Sequence, residues 1–212
     1  MPIFSSLSDF FSNFNVQLYL LAYLLGAVPF GLVLAKVFAG VNIKESGSGS
    51  IGATNVLRVV KAKNPKLGKI LSIVTFICDF LKGGLVIFLA KILGVENLSI
   101  FWTIAVLAVV GHCFSLYLGF EGGKGVATGL GVIAFLFPAE AIFGATVWFV
   151  VGKKFKISSL ASLAGVLGAV TLSFFVHPDA IHTPLLLIAF IILYKHLPNI
   201  YRLFSGKEKA VI

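Results

Sequence analysis

A chain of 212 residues that is 58% hydrophobic and only 12% charged, with a mean hydropathy of +1.04, excludes a soluble domain of this size, which would aggregate. A net charge of +9 makes the segments outside the membrane basic, suited to anionic headgroups or anionic substrates. Nothing provides the soluble domain that nucleic-acid binding would need. Cys78 and Cys113 both sit in apolar runs without metal-ligand or Cys-x-x-Cys spacing, so they read as small hydrophobes. No metal site and no cofactor are expected.

In chain order, residues 1–15 form a polar and aromatic interfacial lead-in, without the basic region of a cleaved signal peptide. The first span runs from about Val16 to Ala35, interrupted by Gly26, Pro29 and Gly31, which a membrane helix tolerates when neighbours satisfy the freed backbone groups. A basic, glycine-rich segment extends from Lys36 to Lys69, followed by apolar runs over Ile70–Ala90 and Leu98–Leu118. Val126–Gly152 is either one long kinked helix or two short ones broken at Pro138-Ala139-Glu140. Ile157–Val176 and Ile181–Tyr194 are the last spans, before a basic tail over 203–212.

Charge decides between the two readings of Val126–Gly152. With two short helices, each reaching about 20 Å, the basic residues of 36–69, Lys124, Lys153, Lys154, Lys156, Lys195, Arg202, Lys207 and Lys209 share one side. Asp9, Glu96, Glu140 and Asp179 then fall on the other, where His177 and His182 read as surface residues. The positive-inside rule therefore predicts an all-α integral membrane protein of about seven transmembrane helices, N-terminus outside and C-terminus cytoplasmic. The whole of 1–212 is one domain.

Three stretches carry chemistry, and all fall on that one face. Gly47-Ser48-Gly49-Ser50-Ile51-Gly52-Ala53-Thr54-Asn55, with Arg58 beyond, offers hydrogen-bond donors among glycines and an arginine suited to phosphate. A flexible spacer would not need Thr-Asn-x-x-Arg. Gly122-Gly123-Lys124-Gly125 resembles a nucleotide P-loop, but the Gly119-to-Lys124 spacing is one residue short and Gly125 stands where the magnesium-binding hydroxyl should be. Its amides can form an anion-binding concavity to which Lys124 adds a charge. In the tail, His196, Asn199 and Arg202 recur every three residues and share a face if a helix restarts past Pro198. Asp79 and Lys82, three apart in the second span, form either part of a site or a self-neutralising structural pair.

Together these residues, with Gly111-His112-x-Phe114-Ser115 and Asp79-x-x-Lys82-Gly83, resemble the bacterial acyl-phosphate:glycerol-3-phosphate acyltransferase family of the PlsY type, over nearly the whole chain. The resemblance implies a multi-pass enzyme of the bacterial inner membrane with its active site at the cytoplasmic face. It implies acyl transfer from acyl phosphate to the 1-hydroxyl of glycerol 3-phosphate, giving lysophosphatidic acid and phosphate, the first step of bacterial phospholipid synthesis. Its partners would be both substrates, membrane lipid and the enzyme that forms acyl phosphate. By resemblance Lys124, His196, Arg58 and Ser48 are catalytic. Gly47, Gly49, Gly52, Thr54, Asn55, Lys82, His112, Gly122, Gly123, Gly125, Asn199 and Arg202 bind substrate. Ser50 stands where the family usually has Asn, and serine keeps a single donor there. The base is His112, His196 or the leaving phosphate itself. No His-x-x-x-x-Asp occurs, since Tyr117 follows His112 and His182 follows His177 at that spacing. A transporter for a small organic phosphate is the alternative from another class, and it would need a polar path across the membrane.

Overall fold

The structure is a computed structural model that describes residues 7–208 and 210. Residues 1–6 of the lead-in and Lys209, Val211 and Ile212 of the tail lie outside the described residues. Every regular element described is helical: α1 Leu7–Ser12, α2 Phe14–Ala27, α3 Phe30–Ala39, α4 Ala53–Lys61, α5 Pro65–Ile92, α6 Leu98–Cys113, α7 Val126–Leu136, α8 Pro138–Phe155, α9 Ser158–Val176, α10 Thr183–Lys195 and α11 Leu197–Phe204.

Prolines set the breaks. Val28 precedes Pro29 and takes φ −58°, ψ 119°, because the proline ring disfavours the α region for the residue before it. The carbonyls freed there find partners: Ser115 Oγ donates to Ala27 O at 2.7 Å and Lys82 Nζ to Val28 O at 2.8 Å. An unpaired carbonyl in hydrocarbon would cost several kcal/mol. Phe137 breaks the Val126–Gly152 run in the same way, at φ −136°, ψ 73°, and Pro138 opens α8. The two-helix reading of that run is the one adopted.

The expected third span is shorter than Leu98–Leu118. Phe114 leaves the helix at φ −131°, and Ser115 pairs with Glu121 across a tight loop. The first apolar run begins at Phe14, since Asn13 caps α2 by accepting from Asn15 N and Val16 N. By length and composition α2 with α3, α5 and α9 can each cross a membrane. The pair α10 and α11, bent by 59° at His196, passes the same test only when taken together, while α6 and α7 are shorter apolar helices.

The core lies where α2, α5, α6, α7 and α10 meet, with Ile104, Val109, Val132, Leu185 and Ile188 buried. Large apolar side chains such as Phe175, Ile142 and Leu167 point outward, as a lipid-facing surface requires. One expectation at the far end is corrected, and a buried acid is found beside it. His182 is buried and stacks on Phe174 at 4.1 Å, and Glu140 is fully buried 3.4 Å from His177 Nε2. Packing between the ends of α8, α9 and α10 covers His182, which the sequence reading assigns to the surface.

Candidate active site

Three helices begin at one place. The first residues of α4, α7 and α9 (Ala53, Val126 and Ser158) all line a single cavity of about 630 Å³. None of the three has a side-chain cap at its N-terminus, so their leading N–H groups and the positive ends of three helix dipoles are available to a ligand. An anion is the ligand such a convergence favours.

The loop leading into α4 is shaped by one side chain. Asn55 is buried; its Nδ2 donates to Ile43 O, Ser46 O and Ser50 O, and its Oδ1 accepts from Ser48 N at 2.9 Å. Its hydrogen-bonding capacity is thus spent on the loop. Gly47 has φ +66°, and a Cβ there would stand 2.2 Å from Asn55 Oδ1, so only glycine fits. Gly47, Ser48, Gly52 and Thr54 line the cavity, while Gly49 does not. Thr54 Oγ1 lies 3.1 Å from Ser158 Oγ, linking the starts of α4 and α9. Ser50 Oγ accepts from Gly52 N at 3.4 Å, a local turn contact.

The second glycine loop rests on the end of α6. Gly123 N donates to His112 O at 3.0 Å, and a Cβ on Gly123 would lie 2.0 Å from His112 Nε2. Gly122 and Gly123 therefore support the loop from behind, while Lys124 and Gly125 face the cavity. Lys44 Nζ, 2.7 Å from Glu121 Oε2, joins this loop to the first and holds the Glu121 carboxyl below its usual range.

Among the described residues neither Arg58 nor Lys124 has a hydrogen-bond or ion-pair partner, and both line the cavity. Burial pushes Lys124 down to about 8. Arg202 and Arg58 press the same way and Glu208 opposes them. His196 is buried at the bend between α10 and α11, with Nδ1 2.8 Å from Ile192 O. A carbonyl can only accept, so Nδ1 carries the proton and Nε2 keeps its lone pair. Burial pushes this imidazole down to about 4.

Lys82 is outside the cavity lining. Its ammonium sits 2.8 Å from Asp79 Oδ1 and bonds Val28 O. Asp79 and His112 do reach the lining, with His112 Nδ1 3.7 Å from Asp79 Oδ1.

The helix restarts at Leu197, with Pro198 in its first turn, and His196, Asn199 and Arg202 all face the cavity. Two further residues, Ser159 and Glu208, join them that motif spacing does not pick out. Glu208 accepts from Ser159 Oγ at 2.7 Å, Asn199 Nδ2 at 2.6 Å and Arg202 Nε at 2.6 Å. The signal available in the sequence is that Glu208 is an acid in an otherwise basic tail.

From this polar mouth the cavity continues between α7, α8, α9 and α10 along Leu130, Ile133, Ala145, Val166, Val170 and Ile188. Its wall also includes Phe76, Trp148 and Phe149, each more than a third exposed on the apolar outer surface. A charged head with a long apolar tail would match both halves.

A family model described as glycerol-3-phosphate acyltransferase matches residues 16–206. The chain belongs to that family. A glycerol-3-phosphate acyltransferase of Campylobacter concisus is 56% identical over 202 residues, covering 93% of this chain and 99% of the relative. One of Aliarcobacter butzleri is 58% identical over 207 residues, covering 96% and 100%. A crystal structure of PlsY, an integral membrane glycerol 3-phosphate acyltransferase, in its glycerol 3-phosphate form, superposes with a TM-score of 0.83. The identity is 34%, over 93% of this chain and 96% of that one. Its lysophosphatidic acid form gives 0.81 at 35% identity. The acyltransferase match takes in the polar mouth from Gly47 to Arg202 and stops just short of Glu208.

Proposed function

We propose that this glycerol-3-phosphate acyltransferase takes its acyl group from an acyl phosphate and passes it directly to the 1-hydroxyl of glycerol 3-phosphate. The observation that carries the reading is the meeting of three uncapped helix N-termini with the unpartnered Arg58 and Lys124, at the head of an apolar cavity. Two phosphate groups and one acyl chain are what such a cavity accommodates.

Lys124, Arg58, Ser48 and the amides at Gly52, Thr54 and Gly125 hold the phosphates. Asn55, Gly47, Gly49, Gly122 and Gly123 keep the loops in the shape that presents them. His112 supports the Gly123 loop. Asn199 and Arg202 lie at the glycerol-phosphate end with His196.

An acyl phosphate is already activated, so the protein supplies positioning and charge stabilisation. The substrate hydroxyl oxygen attacks the acyl carbonyl, the new ester C–O bond forms, and the acyl–phosphate C–O bond breaks. Negative charge grows first on the carbonyl oxygen and then on the departing phosphate, where helix N-termini and Lys124 oppose it. The fixed tautomer of His196 lets Nε2 accept a hydrogen bond from the attacking hydroxyl and orient it. An imidazole that protonates only near pH 4 does not retain the proton, so the leaving phosphate receives it.

Seven crossings, with the N-terminus outside and the polar mouth at the cytoplasmic face of the inner membrane, are the topology we infer. The positive-inside rule supports it. The apolar wall at Phe76, Trp148 and Phe149 supports an acyl chain drawn from the bilayer.

The test is phosphate release from palmitoyl phosphate by the purified protein, with and without glycerol 3-phosphate, and repeated with palmitoyl-CoA as donor. Release that needs glycerol 3-phosphate, yields lysophosphatidic acid and finds no substitute in the CoA ester supports the reading. Efficient use of the CoA ester overturns the donor assignment. Vesicle uptake of glycerol 3-phosphate without product overturns the enzyme.

A further inference from the structure

The apolar cavity has a far end, and that end is polar. The lining residues farthest from the mouth are Ile133 on α7, Ala141 on α8, Val170 on α9 and Leu185 on α10. About one turn or less beyond them stand Phe137, Glu140, Ser173 and His182, all buried and none in the lining. The end of α9 gathers this group together. Phe137 stacks on His177 at 4.4 Å, His177 Nε2 lies 3.4 Å from Glu140 Oε1, and Phe174 stacks on His182 at 4.1 Å. Trp102 of α6 packs edge-on against Phe137, with ring centroids 5.2 Å apart.

The wall is sealed at this end. Ala141, Ala169, Leu185 and Ile188 are buried. Trp148, on the lipid-exposed part of the wall, lies about 11 Å nearer the mouth along α8 at 1.5 Å per residue. A buried carboxylate is costly, and as a tie between helices it does no better than apolar packing. Its position at the blind end of a hydrocarbon channel gives it a different use. An acyl terminus is accommodated against Ile133, Val170 and Leu185, but further on it meets the Phe137 ring and the Glu140 carboxylate. The ring blocks its path, and displacing His177 would leave the carboxylate buried and unpaired.

We propose that this cluster is the floor of the acyl-binding cavity, where Phe137 by its bulk and Glu140 by its polarity set the longest acyl chain accepted. Chain length is then measured at the end of the bundle opposite the phosphates, about 22 Å from Ser158 along α9 at 1.5 Å per residue. The inference rests on the acyltransferase reading above. The rival is that the cluster only ties helix ends together, while the acyl chain leaves sideways at Trp148 and Phe149. The continuation of the cavity past those residues, as far as Ala141 and Leu185, favours the floor.

The experiment measures kcat/KM of the full chain for myristoyl, palmitoyl, stearoyl and eicosanoyl phosphate at saturating glycerol 3-phosphate. Wild type should fall by roughly tenfold or more at the first donor too long for the cavity, the cost of a misfitted methylene in a closed pocket. Phe137→Ala and Glu140→Met should each move that fall to a longer donor or out of the series, and Ala141→Leu should move it to a shorter one. Thermal unfolding in detergent identifies any variant that fails to fold. Phe137→Leu then carries the expectation for Phe137→Ala, and Ala141→Val that for Ala141→Leu. Variants that keep the wild-type profile overturn the floor, whether their activity is unchanged or uniformly reduced. A wild type that shows no such fall also overturns it. If wild type makes no lysophosphatidic acid from any of these donors, the underlying reading fails instead.

Discussion

Lys124 is held near the pH at which it stops being a cation, and that makes its contribution titratable. Its amine is pushed down to about 8, chiefly by burial, whereas the substrate phosphate becomes a dianion above about pH 6. Attraction between them is therefore strongest between those values and weakens as pH rises past 8. KM for glycerol 3-phosphate should climb on the alkaline side, and Lys124→Arg should flatten that limb, because a guanidinium does not deprotonate there. Lys124→Ala should lose most activity at every pH. His196, pushed down to about 4, should add no acidic limb between pH 5 and 8; such a limb, abolished by His196→Gln, would refute its assignment as a neutral acceptor. Asn55 presents a different case. Spacing marks it as a ligand, yet it bonds three carbonyls and one amide of its own loop. Asn55→Asp keeps the acceptor for Ser48 N but loses the donors to three carbonyls. It should lower stability by about 2 kcal/mol, seen as a reduced Tm in detergent, together with loss of activity. No residue pattern tells a polar group turned inward on its own loop from one turned towards a ligand. Lys82 shows the same limit, because its second partner, Val28 O, lies 54 positions away.

At the scale of elements, apolar runs and prolines were legible in the sequence, and their ends were less so. Phe137 and Val28 break where the following proline dictates, whereas α6 stops at Cys113 because Ser115 is drawn to Ala27 O. That contact depends on packing between α2 and the end of α6, which no local pattern encodes. Glu208 was hidden for a similar reason: a glycine turn and two neighbouring helices have to be in place before its role is visible. The apolar cavity allows a graded test along α9. Val166 and Val170 lie about 12 and 18 Å beyond Ser158 at 1.5 Å per residue, and both line the cavity. Val166→Phe should therefore shorten the longest acyl phosphate accepted by more than Val170→Phe, in assays over a donor chain-length series. Equal chain-length profiles for the two variants would show that the acyl chain does not run along this helix.

For the whole molecule, charge distribution makes its own prediction. Single cysteines placed at Glu96 or Asp179 should react with a membrane-impermeant maleimide in intact spheroplasts, and cysteines at Lys63 or Lys154 only after permeabilisation. The opposite pattern would invert the topology. Phe76, Trp148 and Phe149 join the cavity to the lipid-facing surface, while Ser48 and Lys207 at its mouth are exposed to water. In the reaction proposed above, the donor carbonyl would then arrive from the lipid phase and the attacking hydroxyl from water. The effective concentration of the donor is its mole fraction in the surrounding lipid or detergent, and that of the acceptor is its molarity. Adding inert detergent at constant total acyl phosphate should slow the reaction by surface dilution, and restoring the donor-to-detergent ratio should restore the rate.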